Sequence, residues 1–246
     1  MCALELNTPI LNAAGSLGFT PDRHGPIDLK MLGAFLTNPI SKTARKPANP
    51  PRQVEYPGGV LLHTGHPNPG FKNALRRYAA RWERADLPVI VHLLADQPND
   101  LRTMTAQVEE VANVMAVEIG VRHDIDAQTT AELVRAAAGE LPIIARIPLD
   151  RALDLGCAAF QAGAAAVSLG PPRGVLPGPD GALVAGRLYS PALFPQALAI
   201  VGELVKLEIP VIGAGGVYEQ QQADTMLAAG ALAVQLDTVL WRGGWE

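Results

Sequence analysis

Short runs of β-branched and apolar residues alternate along the chain with longer, Ala-rich amphipathic stretches. The strand-like runs are Ile10–Gly15, Ala34–Asn38, Val89–Ala95, Val114–Val121, Ile143–Pro148, Ala165–Gly170, Val211–Gly216 and Ala233–Asp237. Helical patterns fall near 26–33, 69–85, 98–112, 127–140, 151–162, 191–208 and 218–229, several opening on Pro or Asp and ending in Gly. Strands that are apolar at nearly every position belong to a parallel sheet covered on its faces. Eight such units alternating with helices predict a closed barrel rather than an open sheet. The expectation is an α/β protein, a single (β/α)8 TIM-barrel domain over residues 1–246. The tail Thr238–Glu246 has room only for a truncated last helix.

Two stretches break the rhythm. Residues 39–68 and 171–190 are rich in Pro and Gly and long for loops after strands. Both would lie at the C-terminal mouth, where barrels of this kind build their sites. The Gly178-Pro179-Asp180-Gly181 string within the second reads as a hairpin turn.

Composition narrows the function classes. A chain of 246 residues, 48% hydrophobic and 18% charged, can bury a large core. The formal net charge of −4 offers no broad basic field for nucleic acid or an anionic membrane surface. No apolar run approaches the roughly 18 residues of a membrane span, and the first residues lack a basic, then apolar, leader pattern. Cys2 and Cys157 are far apart in sequence and read as reduced thiols. A soluble cytoplasmic protein with a small-molecule ligand at the barrel mouth is expected.

The segments TPILNAAGSLGF (8–19), NPPR (49–52), PGGVLLHTGHPNPG (57–70), VIGAGGV (211–217) and AGALAVQLDT (229–238) resemble, in order and spacing, landmarks of the dihydroorotate dehydrogenases. The likeness runs from the first strand to the last, and the 49–70 stretch is its most specific part. It implies an FMN cofactor. By that resemblance Ala13, Ala14 and Gly15 lie beneath the flavin ring, and Gly213, Gly215, Gly216 and Thr238 hold its phosphate. Asn38, Arg146 and Ser190 fall at further cofactor positions, and Asn68 at a substrate position. Small residues that expose backbone N–H groups suit a phosphate on physical grounds as well.

The departures from the family pattern are many. Its lysine after strand two is replaced by Asn38, and the asparagine of its GG-x-L-N string by Leu62. Its loop after strand four, with two asparagines and a catalytic cysteine, reads GVRHDI (120–125), which puts Gly120 at the first asparagine and His123 at the cysteine. The strand-five lysine becomes Arg146, an asparagine after strand six becomes Pro171, Ser-Gly becomes Tyr189–Ser190, and Gly-Thr becomes Asp237–Thr238. A site stripped of several hydrogen-bonding groups loses far more than the roughly 2–4 kcal/mol of one removed donor. Dihydroorotate oxidation is therefore not expected.

His123 is the candidate replacement base, or else a solvent-facing loop residue. His63, His66 and His92 also map near the mouth, but their spacing matches no strong metal motif, and no metal is expected. Glu118 and Arg146 are expected to pair inside the barrel, and Asp237 to oppose a phosphate or else turn outward. Lys42, Arg45, Lys46 and Arg52 form a basic loop that either draws an anion or is merely solvated, while Tyr78 and Trp82 read as packing residues. Trp241 and Trp245 leave a homodimer contact open. Three functions remain: a divergent flavoprotein acting on another small substrate, an inert binding or scaffold subunit, and a phosphorylated-metabolite binder without flavin.

Overall fold

The computed structural model describes residues 4, 6–25, 27–94, 96–242 and 245, so Cys2 lies outside the described residues. The strands are β1 (Ile10–Asn12), β2 (Phe35–Leu36), β3 (Ile40–Ser41), β4 (Gln53–Tyr56), β5 (Gly59–Leu62), β6 (Val89–Leu94), β7 (Val114–Gly120), β8 (Ile143–Pro148), β9 (Ala166–Gly170), β10 (Arg173–Pro177), β11 (Leu183–Tyr189), β12 (Val211–Ala214) and β13 (Ala233–Leu236). The helices are α1 (Phe71–Glu83), α2 (Pro98–Glu109), α3 (Ala127–Ala137), α4 (Ala152–Gln161), α5 (Phe194–Lys206), α6 (Gln220–Ala228) and α7 (Val239–Arg242).

Eight strands run parallel in the order β1-β13-β12-β9-β8-β7-β6-β2, with β3 extending the β6 edge. The ring closes between β1 and β2 through a bridge of Leu11 to Ala34. The Asn12 side chain completes that seam: its amide donates to Leu36 O and its oxygen accepts from Leu36 N, both at 2.8 Å. This is the expected (β/α)8 barrel, and α7 follows its last strand.

Strand side chains alternate between the barrel interior and the helix layer. Leu11, Leu36, Ile90, Ala116, Ile144, Ala166, Ile212 and Ala233 form an apolar plug inside the barrel. The outward residues between them, such as Val91, Val117, Ala145 and Val167, pack under the helices in a second, larger core. Residues two positions beyond the plug point inward again, one layer nearer the mouth. That layer is polar: it includes His92, Glu118, Arg146, Ser168 and Gln235.

Two sequence expectations change. The segment expected to be helical over 26–33 holds only a 3-10 turn at Leu29–Met31, capped by Asp28. At Gly33 the chain has already left it: the Gly33 N–H bonds Ile10 O at 2.8 Å, and an added Cβ would fall 2.0 Å from Thr8 O. The two long stretches are also more than loops. β4 and β5 from the first and β10 and β11 from the second form one antiparallel sheet, β10-β11-β5-β4, over the mouth. The hairpin turns at Gly178–Gly181, where Gly178 N bonds Ala182 O at 2.7 Å.

Tyr78 and Trp82 are packing residues, as expected. Trp82 is fully buried and donates its indole N–H to Phe19 O at 2.7 Å, while Tyr78 stacks on Phe19 at 5.1 Å. Among the described residues no helix is long and apolar enough to cross a membrane.

Candidate functional site at the barrel mouth

The polar layer centres on Glu118, which is fully buried. Its Oε2 lies 2.6 Å from His92 Nδ1, and its Oε1 accepts from Ser168 Oγ and Gln235 Nε2, each at 2.7 Å. The expected Glu118–Arg146 pair forms at the longer distance of 3.9 Å. Burial opposes the charge on Glu118, but the His92 hydrogen bond, nearby positive charge and Ser168 outweigh it and take its pKa down to about 2. Burial also lowers the pKa of His92. In its neutral form His92 can donate Nδ1–H to Glu118 and leave Nε2 as an acceptor. A Cβ at Gly120 would lie 2.8 Å from that Nε2, so a side chain there would push against the imidazole.

Above this layer lies an inner cavity of about 120 Å³, lined in part by Ala14, His66, His92, Gly120, Arg146 and Tyr189. A narrower cavity adjoins it past Arg146 and Tyr189 and runs to Gly215, Gly216, Val217 and Thr238. Ala13 and Ala14 are buried beneath the two cavities. The N–H groups of Gly215, Gly216, Val217 and Thr238 have no hydrogen-bond partner among the described residues. Gly215 and Gly216 sit at φ +109 and +72, which favours glycine and lets successive N–H groups converge. Ser190 also borders this cavity; its hydroxyl donates to Gly58 O at 2.7 Å.

The remaining anticipated residues fall differently. Gly213 points away from the cradle, because in β12 it alternates with Ile212 and Ala214; a Cβ there would meet Met226 Sδ at 2.7 Å. Gly15 is exposed and borders neither cavity. Asn38 accepts from Gly18 N at 3.1 Å. Asn68 is buried with its amide engaged: Nδ2 donates to Ser41 Oγ and His66 O, and Oδ1 accepts from Gly70 N, all at 2.9 Å. His123 is exposed at the rim of the inner cavity, and its neighbour Asp124 is held by Arg122. Lys42 pairs with Asp100 at 2.5 Å, and Arg52 donates to Ala48 O at 2.6 Å.

Asp237 turns inward. It lies beside the narrow cavity, 3.8 Å from Arg146 Nη2, with 19% of its side chain exposed. Burial pushes its pKa up to about 6, against the pull of Arg146 and Arg187. Near neutral pH it is still mostly ionised, so it opposes a phosphate there, and that opposition eases only as pH falls through about 6. Sequence reasoning missed the part played by Gln235, Tyr218, Arg173 and Arg187. Tyr218 bonds Thr238 Oγ1 through its hydroxyl at 2.6 Å. Among the described residues no group of three or more His, Cys, Asp or Glu is placed to hold a metal.

The four free N–H groups and the small-residue floor fit a phosphate carried by a planar-ring cofactor such as FMN. At the ring end, Tyr189 borders both cavities and would have to turn to admit an isoalloxazine.

Comparison with known proteins bears on this geometry. The family model described as dihydroorotate dehydrogenase matches residues 1–153. The chain is similar to the catalytic subunit of dihydroorotate dehydrogenase B (NAD(+)) from Pelobacter propionicus, 29% identical over 97% of this chain and 85% of the relative. The Pyrococcus horikoshii protein of the same description is 29% identical over 99% and 86%, and that of Staphylococcus carnosus 27% identical over 96% and 84%.

Proposed function

Because the chain belongs to the dihydroorotate dehydrogenase family, a family of FMN-dependent oxidoreductases, we propose that it is a flavin-type barrel acting on a small molecule other than dihydroorotate. The observation that carries this reading is the unpartnered backbone cradle at Gly215, Gly216, Val217 and Thr238 beside the Ala13–Ala14 floor. Four N–H groups left without partners around one cavity are costly unless a ligand or solvent meets them, and a phosphate offers acceptors for them.

When bound, FMN supplies a two-electron acceptor. The chain's residues do the rest. Gly215, Gly216, Val217 and Thr238 would hold the phosphate, and Ala13 and Ala14 would let the ring approach the barrel top. Arg146, whose Nη1 reaches toward Ala14 O at 3.4 Å, places a permanent positive charge at that floor. His92 Nε2, oriented from behind by Glu118, is the best-placed atom to accept a proton from a substrate in the inner cavity. His123 at the rim is less constrained and is the second candidate.

What surrounds the cavity supports a substrate other than dihydroorotate. Leu62, Gly120 and Pro171 stand where the family pattern has amide side chains, and Asn68 is fully engaged in its own loop. The visible spectrum of the purified protein, before and after adding FMN and gel filtration, tests the cofactor. Flavin bands retained on the protein support the reading, and a protein that stays colourless ends it. A dye-reduction assay with dihydroorotate tests the substrate, with no turnover expected.

A further inference from the structure

Outward of the inner cavity, under the β10–β11 hairpin, lies a vestibule of about 320 Å³ that touches neither Ala13 nor Ala14. Arg173 and Arg187 both border it, and they are direct cross-strand partners in the hairpin. Opposed residues of an antiparallel pair share a face, and like charges so placed repel. A fold gains nothing from that arrangement by itself.

The other charges of the vestibule cancel. Asp96 lies 3.1 Å from Arg122 and 3.9 Å from Arg45, and Asp124 is bonded by Arg122. Farther in, Arg146 is matched by Glu118 and Asp237. Among the described residues, Arg173 and Arg187 have neither a carboxylate within 4.0 Å nor a side-chain hydrogen bond. Two guanidiniums without a direct carboxylate partner thus face one space, with Asp237 acting on Arg187 only from farther in, and Arg187 is half-buried there. His66 borders the same space with its buried Nε2 unpartnered. Burial, with Arg187 and other nearby cations, pushes the His66 pKa down to about 2, so its ring is neutral and adds no third charge.

We infer that Arg173 and Arg187 form a clamp for a compact dianion carrying carboxylate or phosphate groups, with His66 Nε2 as a neutral hydrogen-bonding partner. The two guanidiniums present planar donor forks to oxyanions, and two charges call for two. This deepens the mouth-ligand reading by naming a ligand class, and it rests on that reading only for the location. It does not require flavin, because the vestibule is separate from the alanine floor.

Calorimetric titration of the whole protein with malonate, inorganic phosphate, acetate and dihydroorotate tests the clamp, with bound flavin recorded in parallel by absorbance. Malonate or phosphate should bind saturably, and the monoanions about tenfold or more weakly. Arg173→Gln and Arg187→Gln should each weaken dianion binding by about tenfold or more, and Arg187→Lys less. Phosphate bound at the glycine cradle alone would be insensitive to these substitutions. Without ligand, the Gln variants should melt at or above the parent, since the facing charges are gone. The inference fails if the parent binds no dianion saturably, if monoanions bind as tightly, or if the Gln variants bind unchanged or melt lower. Colourless protein that binds malonate ends the flavin reading alone; yellow protein that binds no dianion ends the clamp alone.

Discussion

His92 and Glu118 are register partners on β6 and β7, and their side chains meet at 2.6 Å inside the barrel with both residues buried. The plug beneath them is entirely apolar, so no solvent reaches the carboxylate from below. Its charge is sustained by three hydrogen bonds and the longer contact to Arg146. Glu118→Gln keeps the volume but takes the anion from Arg146 and turns an acceptor into a donor facing its neighbours. A loss on the order of 3 kcal/mol is expected in urea unfolding, as for breaking a buried ion pair. A loss below about 1 kcal/mol would mean the cluster is held by packing instead.

Acid should weaken the protein in two stages. The His66 pKa is about 2 in the fold against 6.5 unfolded, so below pH 6.5 the unfolded chain binds a proton that the native state refuses. Stability falls with pH from there, and His92, also lowered by burial, adds in the same direction. Glu118, at about 2 against 4.5, contributes stability that is complete above pH 4.5 and is lost as pH falls toward 2. Chemical unfolding at half-unit steps from pH 8 to 3.5 should show a decline that steepens below pH 4.5. His66→Gln should flatten the part between 6.5 and 4.5.

The barrel was legible because each of its strands combines an apolar run with a helix-sized spacer, and the interior layer follows from alternation along them. The sheet over the mouth was not. Its four strands are only four to seven residues long and lie in Pro- and Gly-rich sequence, and the β5–β11 pairing of Leu62 with Arg187 spans the middle of the chain. A glycine string hides which of its members face inward, so the resemblance puts Gly213 in the cradle; counting two residues from Ile212 gives Ala214, not Gly213. The facing arginines were recoverable. A hairpin centred on Asp180 pairs positions equidistant from it, and Arg173 and Arg187 are seven residues to either side.

Asp237 should behave oppositely to Glu118. Burial raises its folded pKa to about 6 from 3.8, so its contribution is favourable while it is protonated and is lost as pH rises through 6. Asp237→Asn, which cannot ionise, should therefore stabilise the protein relative to the parent at pH 8 by on the order of 1–2 kcal/mol. The difference should shrink as pH falls toward 4. The same substitution should tighten binding of FMN or inorganic phosphate at the cradle, because it removes the nearby anion. Equal effects on stability at pH 8 and pH 4 would show that the Asp237 carboxylate is not desolvated.

Gly216 and Gly181 separate two reasons for needing glycine. Both have positive φ, +72 and +80. At Gly181, on the hairpin tip, an added Cβ meets nothing within 4 Å, so Gly181→Ala costs only backbone strain, about 1 kcal/mol. At Gly216 the Cβ would fall 2.4 Å from Phe194 N, at the start of α5, and 2.8 Å from Pro191 O in the turn before it, both backbone atoms. Neither can rotate away, so the β12–α6 turn and the α5 entry must separate, and the cost should exceed that at Gly181 by about 2 kcal/mol. Separation also displaces the Gly215, Gly216 and Val217 N–H groups from one another, so Gly216→Ala should lose FMN or phosphate uptake while Gly181→Ala retains it. Thermal unfolding with and without added FMN reads both effects, and equal behaviour of the two variants would remove the close approach at Gly216 as the reason the cradle holds its shape.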